Sequence, residues 1–244
     1  MISFANKSIE VYGTSIKYFQ KEKNGDNFII RDFPEEKIIV LIVADGISGQ
    51  PCDWLASEMA CFKFIEHFSF SKSVPLNERM KDAVVSTNKE ICQIDGKCSG
   101  LASTISLVMY EYEQNKFQAL NAGDSRIYKI TNRKELVLLT KDDATKLLQE
   151  VVTSMGKRNI VQSYLTNHLG RSDFKVNIQE GSIEKGELLL LATDGFYDAR
   201  KSSFSERTIS LYNSINLEKD YSAMIDILEF SAKDDMTGVL LRQK

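Results

Sequence analysis

The chain is poor in the features that would place it in a quick class. It has no run of about 18 apolar residues, so no membrane-spanning helix is expected. Three prolines in 244 residues and no low-complexity tract leave nothing that reads as a flexible linker, so residues 1–244 are read as one domain. There is no internal repeat, no Gly-rich P-loop and no GxSxG. Two histidines, His67 and His168, leave few ways to build a Ser-His-Asp site. His67 shares its segment with Phe62 and Phe64 and is expected as a half-exposed helix residue. His168, before Leu169-Gly170, is expected at a helix end against the last carbonyls. The cysteines Cys52, Cys61, Cys92 and Cys98 show no CxxC spacing. They are expected as buried or free thiols of a reducing compartment and not as a zinc site. A net charge of -3 gives no general attraction for nucleic acid or anionic lipid, and neither is expected as a partner. Met1–Lys7 lacks the basic-then-apolar pattern of a leader, so a cytoplasmic placement is expected.

What is present is a repeated device. Ile38-Ile39-Val40-Leu41-Ile42-Val43 is a branched apolar run of the kind that forms a strand buried on both faces. It ends in Ala44-Asp45-Gly46. The same design recurs in Leu188-Leu189-Leu190-Leu191-Ala192-Thr193-Asp194-Gly195. A carboxylate fixed at the end of a buried strand, followed by a residue without a side chain, can hold a hard metal. One such element is read as a turn; two, with further acids at turns, are read as a shared site.

The remaining pattern frames that site. Residues 2–19 read as one or two strands, and Phe28–Ile30 as another. After Asp45 the period changes: Leu55, Met59, Phe62 and Ile65 recur at helical spacing, with Asp53 as a cap. A second helix follows Pro75, with Met80, Val84 and Ile91 on one face. Strands are expected at 103–112, 117–122, 127–130, 136–139, 175–183, 188–193 and 237–242, and helices at 142–155, 162–168, 205–215 and 221–231. This order implies an α+β fold: a four-layer αββα sandwich of two antiparallel sheets flanked by helix pairs.

The acids at turns and strand ends are Asp26, Asp45, Asp124, Asp194, Asp234 and Asp235. An all-oxygen set suits Mg²⁺ or Mn²⁺. Two such ions about 4 Å apart could bridge a hydroxide and hold a phosphate for in-line attack. Lys21, close in sequence to Asp26, is a candidate to bind the phosphate oxygens.

Six blocks, in order, resemble the metal-dependent PP2C-type protein serine/threonine phosphatases. They are Asn24-Gly25-Asp26-Asn27-Phe28, Val43-Ala44-Asp45-Gly46-Ile47-Ser48-Gly49, Ala102-Ser103-Thr104, Asn121-Ala122-Gly123-Asp124-Ser125-Arg126, Leu190-Leu191-Ala192-Thr193-Asp194-Gly195-Phe196-Tyr197-Asp198, and Lys233-Asp234-Asp235-Met236-Thr237. Each is short; together, in that order, they are specific. The resemblance implies that Asp45 bridges two ions, that the Gly46 carbonyl ligates one of them, and that Asp194 and Asp234 complete the first. It implies that Asp26 acts beside them and that Asp124 with Asp194 holds a weaker third ion. Lys21 stands where the family has a phosphate-binding Arg. The implied reaction is hydrolysis of phosphoserine and phosphothreonine by direct attack of a metal-bridging hydroxide. The implied partners are phosphorylated proteins and a Ser/Thr kinase acting on the same targets, with the chain itself a monomer. Residues 142–168 would form a flap subdomain beside the site.

The chain departs from the family pattern at four places. Gly25 replaces the usual Glu, Lys21 the usual Arg, Ser48 a Gly and Asp235 an Asn. Loss of an outer carboxylate can weaken metal binding 10–100-fold, and Lys offers a point charge in place of a bidentate fork. These motivate a second reading, a catalytically weak pseudophosphatase that binds phosphoproteins or a regulator. A third, general hydrolysis of small phosphate esters, is weaker.

Overall fold

The run that ends at Asp45 lies in the middle of the molecule, and both of its faces are covered. A computed structural model describes residues 1–50, 52–71, 75–153 and 156–244. Its strands are β1 (Ile2–Ala5), β2 (Ile9–Ile16), β3 (Asp26–Phe33), β4 (Ile38–Asp45), β5 (Ile105–Glu111), β6 (Lys116–Ala122), β7 (Arg126–Ile130), β8 (Leu136–Leu138), β9 (Ala144–Thr153), β10 (Gly156–Leu165), β11 (Ile178–Ser182), β12 (Leu188–Ala192) and β13 (Met236–Gln243). Its helices are α1 (Asp53–Phe70), α2 (Leu76–Cys92), α3 (Asp194–Asp198), α4 (Lys201–Ser210) and α5 (Leu217–Glu229).

Two antiparallel sheets result, in the orders β1-β2-β13-β12-β7-β8 and β11-β6-β5-β4-β3. Successive residues of a strand point to opposite faces, and here each face meets a different core. Ile39, Leu41 and Val43 of β4 pack with Leu189, Leu191, Val239 and Leu241 between the sheets. Val40, Ile42 and Ala44 face Ala60, Phe64 and Val84 of α1 and α2. Leu188, Leu190 and Leu240 face Phe204, Tyr221 and Leu228 of α4 and α5. That double burial explains why β4 and β12 read as unbroken apolar runs. Each fully buried side chain of this kind stabilises by about 1.5–3 kcal/mol. The four-layer arrangement expected from the sequence is the one found. No helix among the described residues is long and apolar enough to cross a membrane.

Several local expectations are corrected. Residues 142–153 and 156–165 are not helical: β9 and β10 pair as an antiparallel ribbon from Ala144↔Leu165 to Thr153↔Gly156. Residues 154–155, at the end of the expected first helix, lie outside the described residues. Val151-Val152-Thr153 and Ile160-Val161 carry the β-branched side chains that favour extended backbone. His168 therefore follows a strand, and its Nδ1 lies 2.8 Å from the carbonyl oxygen of Leu169. Asp53 is the first residue of α1, not its cap. The cap position is Cys52, in left-handed conformation with φ 58°. The buried face of α1 is Ala56, Ala60, Cys61, Phe64 and Phe68, and Phe62 is exposed. Small residues at 56 and 60 let the helix lie close on the sheet, while Leu55, Met59 and Ile65 flank that contact. The expectation of four free thiols fails for two of them. Cys52 and Cys98, 46 residues apart, form a disulfide that ties the start of α1 to the turn after α2; Cys61 and Cys92 are free.

Candidate functional site

The acids meet because strand ends meet. β3 and β4 pair with Asp26 directly opposite Asp45. In the other sheet β12 ends at Ala192, and Thr193 bridges to its neighbour. The Thr193 amide donates to the Thr237 carbonyl at 3.0 Å, and the Thr237 amide donates to Thr193 Oγ1 at 3.0 Å. Thr193 Oγ1 also donates to Asp26 Oδ2 at 2.8 Å, joining the two sheets at this end. Asp194 follows as the first residue of α3, a single turn that the sequence reading did not resolve.

The main chain at Asp45 is held independently of its carboxylate. Its amide donates to Thr104 Oγ1 at 2.9 Å, and its carbonyl accepts from the Thr104 amide at 2.8 Å and from Ser103 Oγ at 3.0 Å. Thr104 Oγ1 lies 2.8 Å from Ser125 Oγ, next to Asp124. Tyr197 of α3 donates to the Asp124 carbonyl at 2.9 Å, and its ring stacks on Arg126, which grips Asp142 at 2.9 and 2.8 Å. Asp124 is thereby fixed from α3 and from β7.

Gly46 is required by the protein's own backbone. A Cβ there would stand 2.0 Å from the carbonyl oxygen of Asp53, so the helix entry closes over the glycine. Close approach to a ligand was the sequence argument; close approach of α1 is what the structure shows.

The electrostatics identify a cluster that favours cations. The Asp45 carboxyl is pushed well above its ordinary range, by burial first and then by Asp26, Asp194, Asp234 and Asp124. Asp194 is raised by burial and by Asp234. Burial, partly offset by the Thr193 and Thr237 hydrogen bonds, lifts Asp26 to about 7, and Asp124 rises to about 6 through burial and Asp194. All donors are oxygen, which fits Mg²⁺ or Mn²⁺. The fit lies in this donor chemistry: among the described residues no three His, Cys, Asp or Glu side chains are grouped tightly enough to hold an ion as they stand.

Sequence reasoning undervalued two acids. Asp235 is buried and receives the Tyr18 amide at 2.7 Å, the Gly25 amide at 2.7 Å and Lys21 Nζ at 2.9 Å. Lys21 also pairs with Asp234. Burial works against the Lys21 charge, but its hydrogen bonds to Asp234 and Asp235 outweigh it and hold its pKa above the ordinary value. Asp53, expected only as a cap, has Oδ2 3.4 Å from where a Cβ on Gly25 would stand, and Asp235 Oδ2 lies 3.2 Å from the same point. The departures at positions 21, 25 and 235 thus form one connected unit. A glutamate at 25 would meet two carboxylates already in place. Asp235 lies inside the last block and Asp53 outside all of them; in both cases only position in the fold reveals what the carboxylate meets.

One prediction follows from the raised carboxyls. Their folded pKa values exceed the unfolded value near 4, so the folded state binds more protons between about pH 4 and 7, and stability falls as pH rises through that window. In chelator, the Tm is expected to drop by roughly 5–10 °C from pH 5 to pH 8. Saturating Mn²⁺ should remove the drop, because a cation favours the anions. A flat Tm in chelator would contradict the raised values.

Residues 17–237 match the family model described as protein phosphatase 2C. A relative described as a putative protein phosphatase 2C-type, from Streptococcus pyogenes serotype M6, is 24% identical over 240 residues, covering 92% of this chain and 94% of that one. Among solved structures, the Mycobacterium tuberculosis serine/threonine phosphatase PstP/Ppp matches with TM-score 0.74 at 18% identity, over 96% of this chain and 98% of that one. The catalytic domain of PstP in complex with two manganese ions matches with TM-score 0.69 at 17% identity, over 97% and 98%. At these identities the solved structures speak for the fold. With the family model spanning most of the chain, this protein belongs to the protein phosphatase 2C family.

Proposed function

We propose that the chain is a metal-dependent protein serine/threonine phosphatase. The observation that carries this reading is the electrostatic convergence of Asp26, Asp124, Asp194 and Asp234 on Asp45. Asp45, the Gly46 carbonyl, Asp194 and Asp234 would hold two ions, Mn²⁺ or Mg²⁺, and Asp124 with Asp194 a weaker third. Bound there, the ions would polarise the phosphoryl group and make a water acidic enough to attack it. Asp26, lifted by burial to about 7, would hold or move a proton beside the reacting phosphate. Lys21 keeps its charge and, swung from Asp234 towards substrate, would bind phosphate oxygens while Asp235 anchors its loop. Asp53 would serve as the outer carboxylate that Gly25 lacks. The ribbon β9–β10 would be the flap subdomain. The chain would act as a cytoplasmic monomer on phosphoproteins made by a Ser/Thr kinase.

The engagement of Lys21 by two carboxylates favours one competitor, a weakly catalytic binding module. Phosphate release from a phosphothreonine peptide decides between them. The expected result is turnover with Mn²⁺, none with chelator, and a loss of about 10–100-fold in kcat/KM for Lys21→Met. Folded protein that is silent across millimolar Mn²⁺ would establish the binding module instead.

A further inference from the structure

Beside Lys21 and Asp234 a groove of about 450 Å³ runs from the loop after β2 to the C-terminal end of α5. Two aromatic side chains on it face solvent to an unusual degree: Phe19 is 78% exposed and Phe230 is 92% exposed. Neither belongs to the core of either sheet, and large exposed aromatics at the rim of a groove mark a contact surface. The charges are one-sided. Asp226, Glu229 and Asp234 line the groove against one cation, Lys17. That ammonium is committed to the main chain, donating to the carbonyls of Tyr18 and Lys21. Asp234 lies both on the groove and in the carboxylate cluster, so whatever fills the groove is continuous with the phosphate site.

We propose that this groove takes the stretch of the phosphoprotein substrate next to the phosphorylated residue, and that it selects a basic and an apolar side chain there. The inference rests on the phosphatase reading and adds the substrate class. An extended peptide advances about 10 Å in three residues, and Asp234 joins the groove to the cluster, so the positions to vary are those that flank the phosphoresidue. The acids at 226 and 229 take the arginine or lysine, which Phe230 can also stack on. Phe19 covers the apolar side chain.

The test uses three matched phosphothreonine peptides: one flanked by Arg and Leu on both sides, one by Ala, one by Glu. kcat/KM is measured beside turnover of a small aryl phosphate. Wild type is expected to favour the Arg-Leu peptide about tenfold over the Ala peptide at low salt, and less at high salt. The double variant D226K/E229K should reverse the order of the Arg-Leu and Glu peptides, and Phe230→Ser should shrink the preference. All should leave the small ester unchanged, since none of these residues touches the cluster. Equal kcat/KM on the three peptides, or a preference untouched by both variants, overturns the proposal. If no substrate is turned over, the phosphatase reading falls separately. Binding of the same peptides, read by fluorescence anisotropy, then decides the groove: the same rank order supports it, and equal affinities overturn it.

Discussion

Asp45→Asn is expected to lower metal-dependent phosphate release by about a thousandfold or more and, in chelator, to make the protein more stable. The two effects share one cause. Asp45 is the carboxyl on which Asp26, Asp194, Asp234 and Asp124 all bear, and burial adds to their repulsion. A neutral side chain of the same shape removes the most crowded negative charge, so the metal-free fold gains stability. Its backbone bonds to Thr104 and Ser103 use the amide and carbonyl, which asparagine keeps. The expected gain is about 2–4 °C in Tm for each kcal/mol relieved. On the proposed reading the same change also removes a carboxylate that would hold the ions, so Mn²⁺ should no longer raise the Tm. Thermal melts with chelator and with Mn²⁺, set beside phosphate release, read both effects. A variant that is inactive because it is unfolded in chelator would refute the electrostatic account, and one that keeps wild-type turnover would remove Asp45 from the site.

How much of this was legible follows from which residues face two constraints at once. β4 and β12 were plain because both their faces are buried, and nothing else gives six or four branched apolar residues in a row. The αββα order followed from where the period switched. The ribbon β9–β10, a two-stranded sheet of its own among the described residues, reads as helix in the sequence. Its apolar residues fall at spacings that fit a helix equally well. The phase of α1 was missed because its buried face mixes the small Ala56, Ser57, Ala60 and Cys61 with Phe64 and Phe68, so the large apolar residues alone do not mark it. The bond between Cys52 and Cys98 spans 46 residues and depends on the two helices folding back on each other, which no spacing rule encodes. At the site, the acids that end strands were legible and those that work by position were not. Asp235 takes two backbone amides and a lysine, and Asp53 approaches Gly25 from another element.

Gly195→Ala is expected to cost the fold heavily for its size. A Cβ at this position would stand 1.9 Å from the carbonyl oxygen of Asp235 and 3.4 Å from the carbonyl carbon of Asp234. Both obstacles are main chain and neither can rotate away. The turn of α3 and the segment before β13 must separate, which pulls on the Thr193–Thr237 bonds. The expected loss is about 3 kcal/mol or more, or about 6–12 °C in Tm for a chain of this length. The damage is also directed at the chemistry. Moving residues 234–235 displaces Asp234 from the cluster and takes from Lys21 and Gly25 the carboxylate that positions them. Phosphate release should therefore fall even at temperatures where the variant remains folded. Gly49→Ala supplies the contrast. Gly49 has φ 88° but no atom within 4 Å of its missing Cβ, so alanine there meets only backbone strain, about 1 kcal/mol. If the two variants melt together, close packing of the 194–195 turn against 234–235 is not what requires glycine, and the coupling of α3 to Asp234 loses its physical basis.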